Sequence, residues 1–251
     1  MNPHLKTPEQ IKKMQTGGKK LSSVLNQLIQ HVSIGMQTIE IDTIAEKLLL
    51  RSGGQPSFKT VPGYHWSTCI NINDSLVHGV PNKTKVQDGD IITIDIGLLY
   101  QGLHTDLSTT FQIGKTDTNT TIFLQAGKTA LKQAITQVKP GRHIGHISKP
   151  LQTVIERSGY HCVPELIGHG IGENLHEYPP IPGVLSTPIK QTPILSPGMT
   201  LAIEVIYVAG STNTITDKQD RWTIRTQDGK ISAVFEKTIA VVSDGCLLLT
   251  P

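Results

Sequence analysis

Four carboxylates stand where carboxylates are costly. Asp95 sits in the run Ile91-Ile92-Thr93-Ile94-Asp95-Ile96, and Asp106 in His104-Thr105-Asp106-Leu107-Ser108-Thr109-Thr110-Phe111. Glu204 follows Leu201-Ala202-Ile203 and precedes Val205-Ile206, and Glu236 follows Ala233-Val234-Phe235. Both read as strand segments, in which Asp is disfavoured and Glu is seldom buried without a partner. Lys237 is adjacent to Glu236, so strand alternation sends it to the opposite face and removes it as that partner. Four inward acids carry four negative charges. Two divalent cations would balance them, and a carboxylate-rich oxygen set suits a dinuclear centre. Nitrogen ligands and acid–base groups come from histidine. Three of the ten stand out by context: His169 between glycines in Gly168-His169-Gly170-Ile171-Gly172, His176 seven residues on, and His78 in Leu76-Val77-His78-Gly79-Val80-Pro81-Asn82. His4, His31, His65, His104, His143, His146 and His161 read as surface or satisfied core residues. Among these, His104 lies nearest the chemistry, on the strand face of Asp106.

These acids need strands to hold them. Residues 91–112 read as a hairpin turning near Tyr100-Gln101-Gly102. A turn centred between residues 100 and 101 places Asp95 directly across from Asp106, with Cβ atoms about 4.5–5.5 Å apart. Like charges so close require protonation or a shared cation.

The strands belong to a larger repeat. Shifted by 106, segment 21–53 matches 127–159 at nine of 33 positions: Leu25, Gln27, Ile29, Val32, Gly35, Ile41, Arg51, Ser52 and Gly53 recur as Leu131, Gln133, Ile135, Val138, Gly141, Ile147, Arg157, Ser158 and Gly159. Chance would give about two. Each copy reads as helix, glycine turn, helix, glycine stop. Each continues into a strand with an acid six residues after a turn glycine, Gly89 to Asp95 and Gly198 to Glu204. The expectation is an α+β fold of duplicated helix-helix-strand units, with halves at about 8–115 and 122–251 fused into one catalytic domain. The carboxylates then lie between the halves, on a pseudo-twofold axis.

Composition narrows the class. The 251 residues carry 23 Lys plus Arg against 20 Asp plus Glu, a net charge of +3, too small to mark a nucleic-acid binder. Cys69, Cys162 and Cys246 form neither a disulfide framework nor a CxxC zinc pair. No apolar run reaches membrane-spanning length, and the N-terminal residues lack the apolar stretch of a signal peptide. A cytoplasmic location is expected.

In combination the motifs resemble the type I methionine aminopeptidases, of the pita-bread (creatinase/aminopeptidase) fold and peptidase family M24. The segments are NDSLVHGVPN, TIDIG, HTDLSTTF, GHGIGENLHEYPPIP, GMTLAIEV and DRWTIRTQDGKISAVFEKTIAVV. The 35 residues from His169 to Glu204 leave no room for the type II helical insertion. The resemblance implies two divalent metal ions (Co, Mn, Fe or Zn). Asp95 is then on one metal, His169 with Glu204 on the other, and Asp106 with Glu236 bridge. It implies that Glu204 relays a proton, that His176 stabilises the oxyanion and that His78 contacts the substrate amide. It places Phe58, Tyr64, Cys69, Leu175 and Trp222 around the first side chain of the substrate. Val61, Trp66 and Leu175 depart from common residues of the family, which implies a more aliphatic rim. The implied activity is removal of the initiator methionine from nascent proteins, preferentially before a small second residue. The implied state is a monomer. Transient ribosome association fits such a substrate, but no Cys/His extension offers a zinc-dependent route to it. Two other readings are an Xaa-Pro aminopeptidase-like enzyme and an inactive pita-bread binding module; the filled ligand positions argue against the second.

Overall fold

The computed structural model describes residues 2–251. Four helices form two matched pairs: α1 Pro8–His31 with α2 Thr38–Arg51, and α3 Thr118–Thr136 with α4 Ile144–Arg157. Helix α1 starts in a capping box, in which the Thr7 hydroxyl accepts from the Gln10 amide and the Gln10 side chain accepts from the Thr7 amide. The matched glycines have a backbone reason to match. Gly35 and Gly141 turn each pair at φ +88° and +79°, and Gly53 and Gly159 follow each second helix at φ +86° and +81°. These are left-handed conformations that glycine adopts without strain.

The strands of the first half are β1 Gln55–Pro56, β2 Thr68–Ile72, β3 Ser75–Val77, β4 Ile91–Tyr100 and β5 Leu103–Gln112. Those of the second are β6 His161–Cys162, β7 Ile167–Gly170, β8 Glu177–Pro182, β9 Thr200–Val208, β10 Thr214–Thr216, β11 Ile224–Thr226, β12 Ser232–Val242 and β13 Gly245–Leu248. In the first sheet, β4 pairs with β1, β2 and β5; the second runs β13-β12-β9-β7-β8, with β6 also on β9. A small third sheet, β10-β11-β3, joins strands from both halves.

Strand alternation decides what faces the site. In β4, Ile92, Ile94, Ile96 and Leu98 pack under α1 and α2 with Leu21, Leu25, Leu28, Ile41 and Leu49. In β9, Leu201, Ile203, Val205 and Tyr207 pack under α3 and α4 with Phe123, Ala130, Ile147 and Leu151. The intervening residues therefore face away from the helices, and these include Asp95 and Glu204. The same parity turns Asp106 and Ser108 of β5, and Val234 and Glu236 of β12, toward one cavity.

Two hydroxyls join the sheets where no backbone ladder connects them. Thr238 Oγ1 accepts from the Asp106 amide at 2.9 Å and donates to the Asp106 carbonyl at 2.7 Å. Thr110 Oγ1 does the same for Val234, accepting at 2.9 Å and donating at 2.7 Å. This antiparallel seam between β5 and β12 brings Asp106 beside Glu236.

The hairpin differs from the sequence expectation. Its turn is the two residues Gln101-Gly102, at φ +52° and +80°, closed by Tyr100 opposite Leu103. Asp95 therefore faces Ser108, and Asp106 faces Gly97. The turn lacks the Asn-Gly or Asp-Gly pair that announces a two-residue hairpin, and Gln gives no such signal. The shift is even, so Asp95 and Asp106 keep a common face as diagonal neighbours.

Candidate metal centre

Asp106, His169 and Glu236 bring ligand atoms within 4.8 Å of one another. Glu236 stands directly across the β12–β9 ladder from Glu204, and Asp95 is the diagonal neighbour of Asp106. His169 reaches the group from β7, paired with Ala202 of β9. Gly168 makes this possible, since a Cβ there would meet the Ala202 carbonyl at 2.6 Å. His169 Nδ1 donates to the Gly170 carbonyl at 2.8 Å. That bond fixes the tautomer and leaves Nε2 with its lone pair for a ligand.

Burial sets the electrostatics. It raises Asp95 to about 7 and Glu204 to about 8, the latter also repelled by Asp95. Asp106 rises well above the ordinary carboxylate range through burial, then through the charges of Asp95 and Glu204. Glu236 rises likewise, through burial and then Asp106, Glu204 and Asp95. Burial pulls His169 down to about 4, so its ring is neutral and able to ligate.

The residues fit a divalent cation. Asp95 Oδ1 is buried with no hydrogen-bond partner. Among the described residues, no Lys or Arg lines the cavity to offset Asp95, Asp106, Glu204 and Glu236. Buried acids with an orphan oxygen and a preset neutral imidazole are the oxygen and nitrogen donors a first-row divalent metal takes.

A cavity of about 670 Å³ opens over these groups. All the residues expected around the substrate line it: His78, His176, Phe58, Tyr64, Cys69, Leu175 and Trp222. Tyr64 organises one wall. Its hydroxyl donates to the Thr68 carbonyl at 2.8 Å and lies 3.2 Å from Cys69 Sγ, and its ring meets Trp222 edge-on at 5.2 Å. Val61 also lines the cavity, whereas Trp66 packs behind Tyr64 at 5.3 Å and is not in the lining. His176 packs edge-on against His169 at 4.4 Å. His78 occupies a left-handed turn at φ +56°, and burial lowers its pKa and that of His176. His104 lies outside the lining, buried, with Nδ1 2.9 Å from Ser57 Oγ.

The structure adds residues that the sequence did not single out. Asn71, Thr93 and Ser108 supply polar lining, and Glu165, Ile167 and Tyr178 also line the cavity. Parity with Asp95 and Asp106 could have found Thr93 and Ser108. The others arrive from loops and short strands with no periodicity of their own.

Comparison with known proteins identifies the family. The model of metallopeptidase family M24 matches residues 12–243. The chain belongs to metallopeptidase family M24. It is 38% identical over 245 residues to methionine aminopeptidase 1 of Bacillus subtilis, with 98% of each chain covered. It is 36% identical over 251 residues to the Escherichia coli methionine aminopeptidase, covering 98% of this chain and 93% of that one. The methionine aminopeptidase of Thermotoga maritima superposes with a TM-score of 0.94 at 34% identity, covering 99% of both chains. A prolidase from Pyrococcus furiosus shares the fold at a TM-score of 0.78 and 22% identity, with 98% of this chain and 65% of that one covered. As an M24 member the chain is a metal-dependent peptidase with the pita-bread fold. No helix among its described residues is long and apolar enough to cross a membrane.

Proposed function

We propose that this protein is a methionine aminopeptidase that hydrolyses the first peptide bond of chains beginning with methionine, preferentially before a small second residue. One observation carries the reading. The acid–histidine cluster and the apolar wall of Phe58, Tyr64, Cys69, Leu175 and Trp222 line the same cavity, so a methionine side chain and its scissile carbonyl can be held together. Two divalent ions, of Co, Mn, Fe or Zn, would be held by Asp95, Asp106, His169, Glu204 and Glu236, with Asp106 and Glu236 shared. When bound, such metals polarise the scissile carbonyl and lower the pKa of a nearby water.

The remaining work falls to side chains. Glu204 takes the proton released from the water and returns it to the leaving amine. His176, whose pKa is lowered by desolvation, is a hydrogen-bond donor for the oxyanion. His78 orients the amide on the far side of the scissile bond. We read residues 1–251 as a single catalytic unit whose two halves meet at the site, acting as a cytoplasmic monomer on nascent chains with transient ribosome contact. The test is a metal-supplemented assay on Met-Ala-Ser, Leu-Ala-Ser and Met-Pro-Ser. Hydrolysis of Met-Ala-Ser well above Leu-Ala-Ser, abolished by chelation, is expected. Equal turnover of the Met and Leu peptides would overturn the methionine reading, and activity surviving chelation would overturn the metal.

A further inference from the structure

The turn 172–177 carries two residues of the proposed site, Leu175 and His176. Among the described residues the His176 ring makes no hydrogen bond, so its place depends on its packing against His169 and on how the turn is held. The turn joins β7 to β8, whose pairing of Gly170 with Glu177 closes its base, and the His104 amide of β5 donates to the Gly172 carbonyl at 2.7 Å. A further anchor comes from the opposite end of the sequence. Lys6 Nζ donates to a Glu177 carboxylate oxygen and, at 2.8 Å, to the His4 carbonyl. The side chains of Lys6 and Glu177 are 1% and 7% exposed, so the ion pair is largely shielded from water. The other Glu177 oxygen accepts from the Asn174 amide at 3.0 Å, inside the turn.

The surroundings are shaped around Lys6. A Cβ on Gly172 would overlap the end of the Lys6 side chain. The Lys6 amide donates at 2.7 Å to the carbonyl of Gly198, the residue preceding Met199 and β9, which carries Glu204. Gln10 adds a bond from Nε2 to Glu173 at 2.9 Å. The segment before α1 is thus a strap fastened to the turn bearing His176 and to the start of the strand bearing Glu204.

Resting on the reading of His176 as the oxyanion donor, we propose that Lys6 and Glu177 are positioning residues: their buried pair holds the 172–177 turn so that His176 is set for the transition state. A donor aimed at developing charge matters most after substrate is bound. Loss of the strap should therefore lower kcat more than it raises KM, which Leu175 in the same turn also influences.

Removing only Lys6 would strand the buried Glu177 charge. The test therefore uses both Lys6→Met and the double variant Lys6→Met/Glu177→Gln, which leaves no unpaired charge at the strap. With Met-Ala-Ser and added metal, both should lose at least about tenfold in kcat, with KM within about threefold and metal content unchanged. Amide hydrogen exchange over 172–177 should speed up in both. If Lys6→Met fails to fold, the double variant decides. A double variant with kcat within about twofold of the parent and unchanged exchange over 172–177 overturns the proposal, even if it melts lower. A parent protein inactive on Met-Ala-Ser would instead strike the proposed function, and the exchange measurement would still read the strap.

Discussion

Asp106 combines burial, like-charge neighbours and a fastened backbone. It is 4% exposed, its amide and carbonyl are both bound by Thr238, and its carboxylate faces those of Asp95 and Glu204. Asp106→Ala removes a ligand shared, on our reading, by both metals. Metal content by elemental analysis should drop and turnover of Met-Ala-Ser should vanish; full activity in metal-free buffer would sink the dinuclear centre. His176 separates from that set. It packs on His169 without joining the close ligand cluster. His176→Ala should lower kcat by about 10²-fold, the usual cost of one oxyanion donor, while metal stays bound. Loss of metal in that variant would make His176 a ligand.

The Thr238 hydroxyl does for the seam what a backbone ladder does inside a sheet. Thr238→Val keeps the shape of the side chain and leaves the buried Asp106 amide without an acceptor. The expected cost is about 1–3 kcal/mol in denaturant unfolding, with weaker metal binding because Asp106 loses its backbone anchor. Unchanged stability and metal affinity would mean that strand packing alone holds the seam. This element also marks where the sequence stops being informative. Helix pairs, their glycine stops and the inward parity of Asp95 and Glu204 follow from local periodicity and were legible. The β4–β5 register was not, because Gln101-Gly102 carries a weak turn signal and the pairing rests on the packing of both faces. Neither the seam nor the Lys6–Glu177 contact was legible. Thr110 and Thr238 look like ordinary strand residues, and nothing local links residues 171 positions apart.

At the scale of the molecule, the fold holds like charges together between two hydrophobic halves, and pH reveals the cost. Burial and mutual repulsion raise Asp95 to about 7, Glu204 to about 8, and Asp106 and Glu236 further above their ordinary values. A folded-state pKa above the unfolded one means that the metal-free folded protein binds more protons. Its stability is then complete at low pH and is lost as pH rises toward the folded values. Histidines oppose this lower down. His169 and His104 are both lowered to about 4, so their contribution grows as pH climbs from about 4 to 6.5 and is then constant. Between about pH 6.5 and 8.5 the carboxylate trend dominates, and the melting temperature of metal-free protein should fall over that interval. Added divalent metal binds the deprotonated carboxylates, so the rise in melting temperature on loading should grow over the same interval. Calorimetry of chelated and metal-loaded protein across that interval tests both halves. A flat metal-free profile would mean that the four acids ionise freely without a cation, and the electrostatic case for the centre would fail with it.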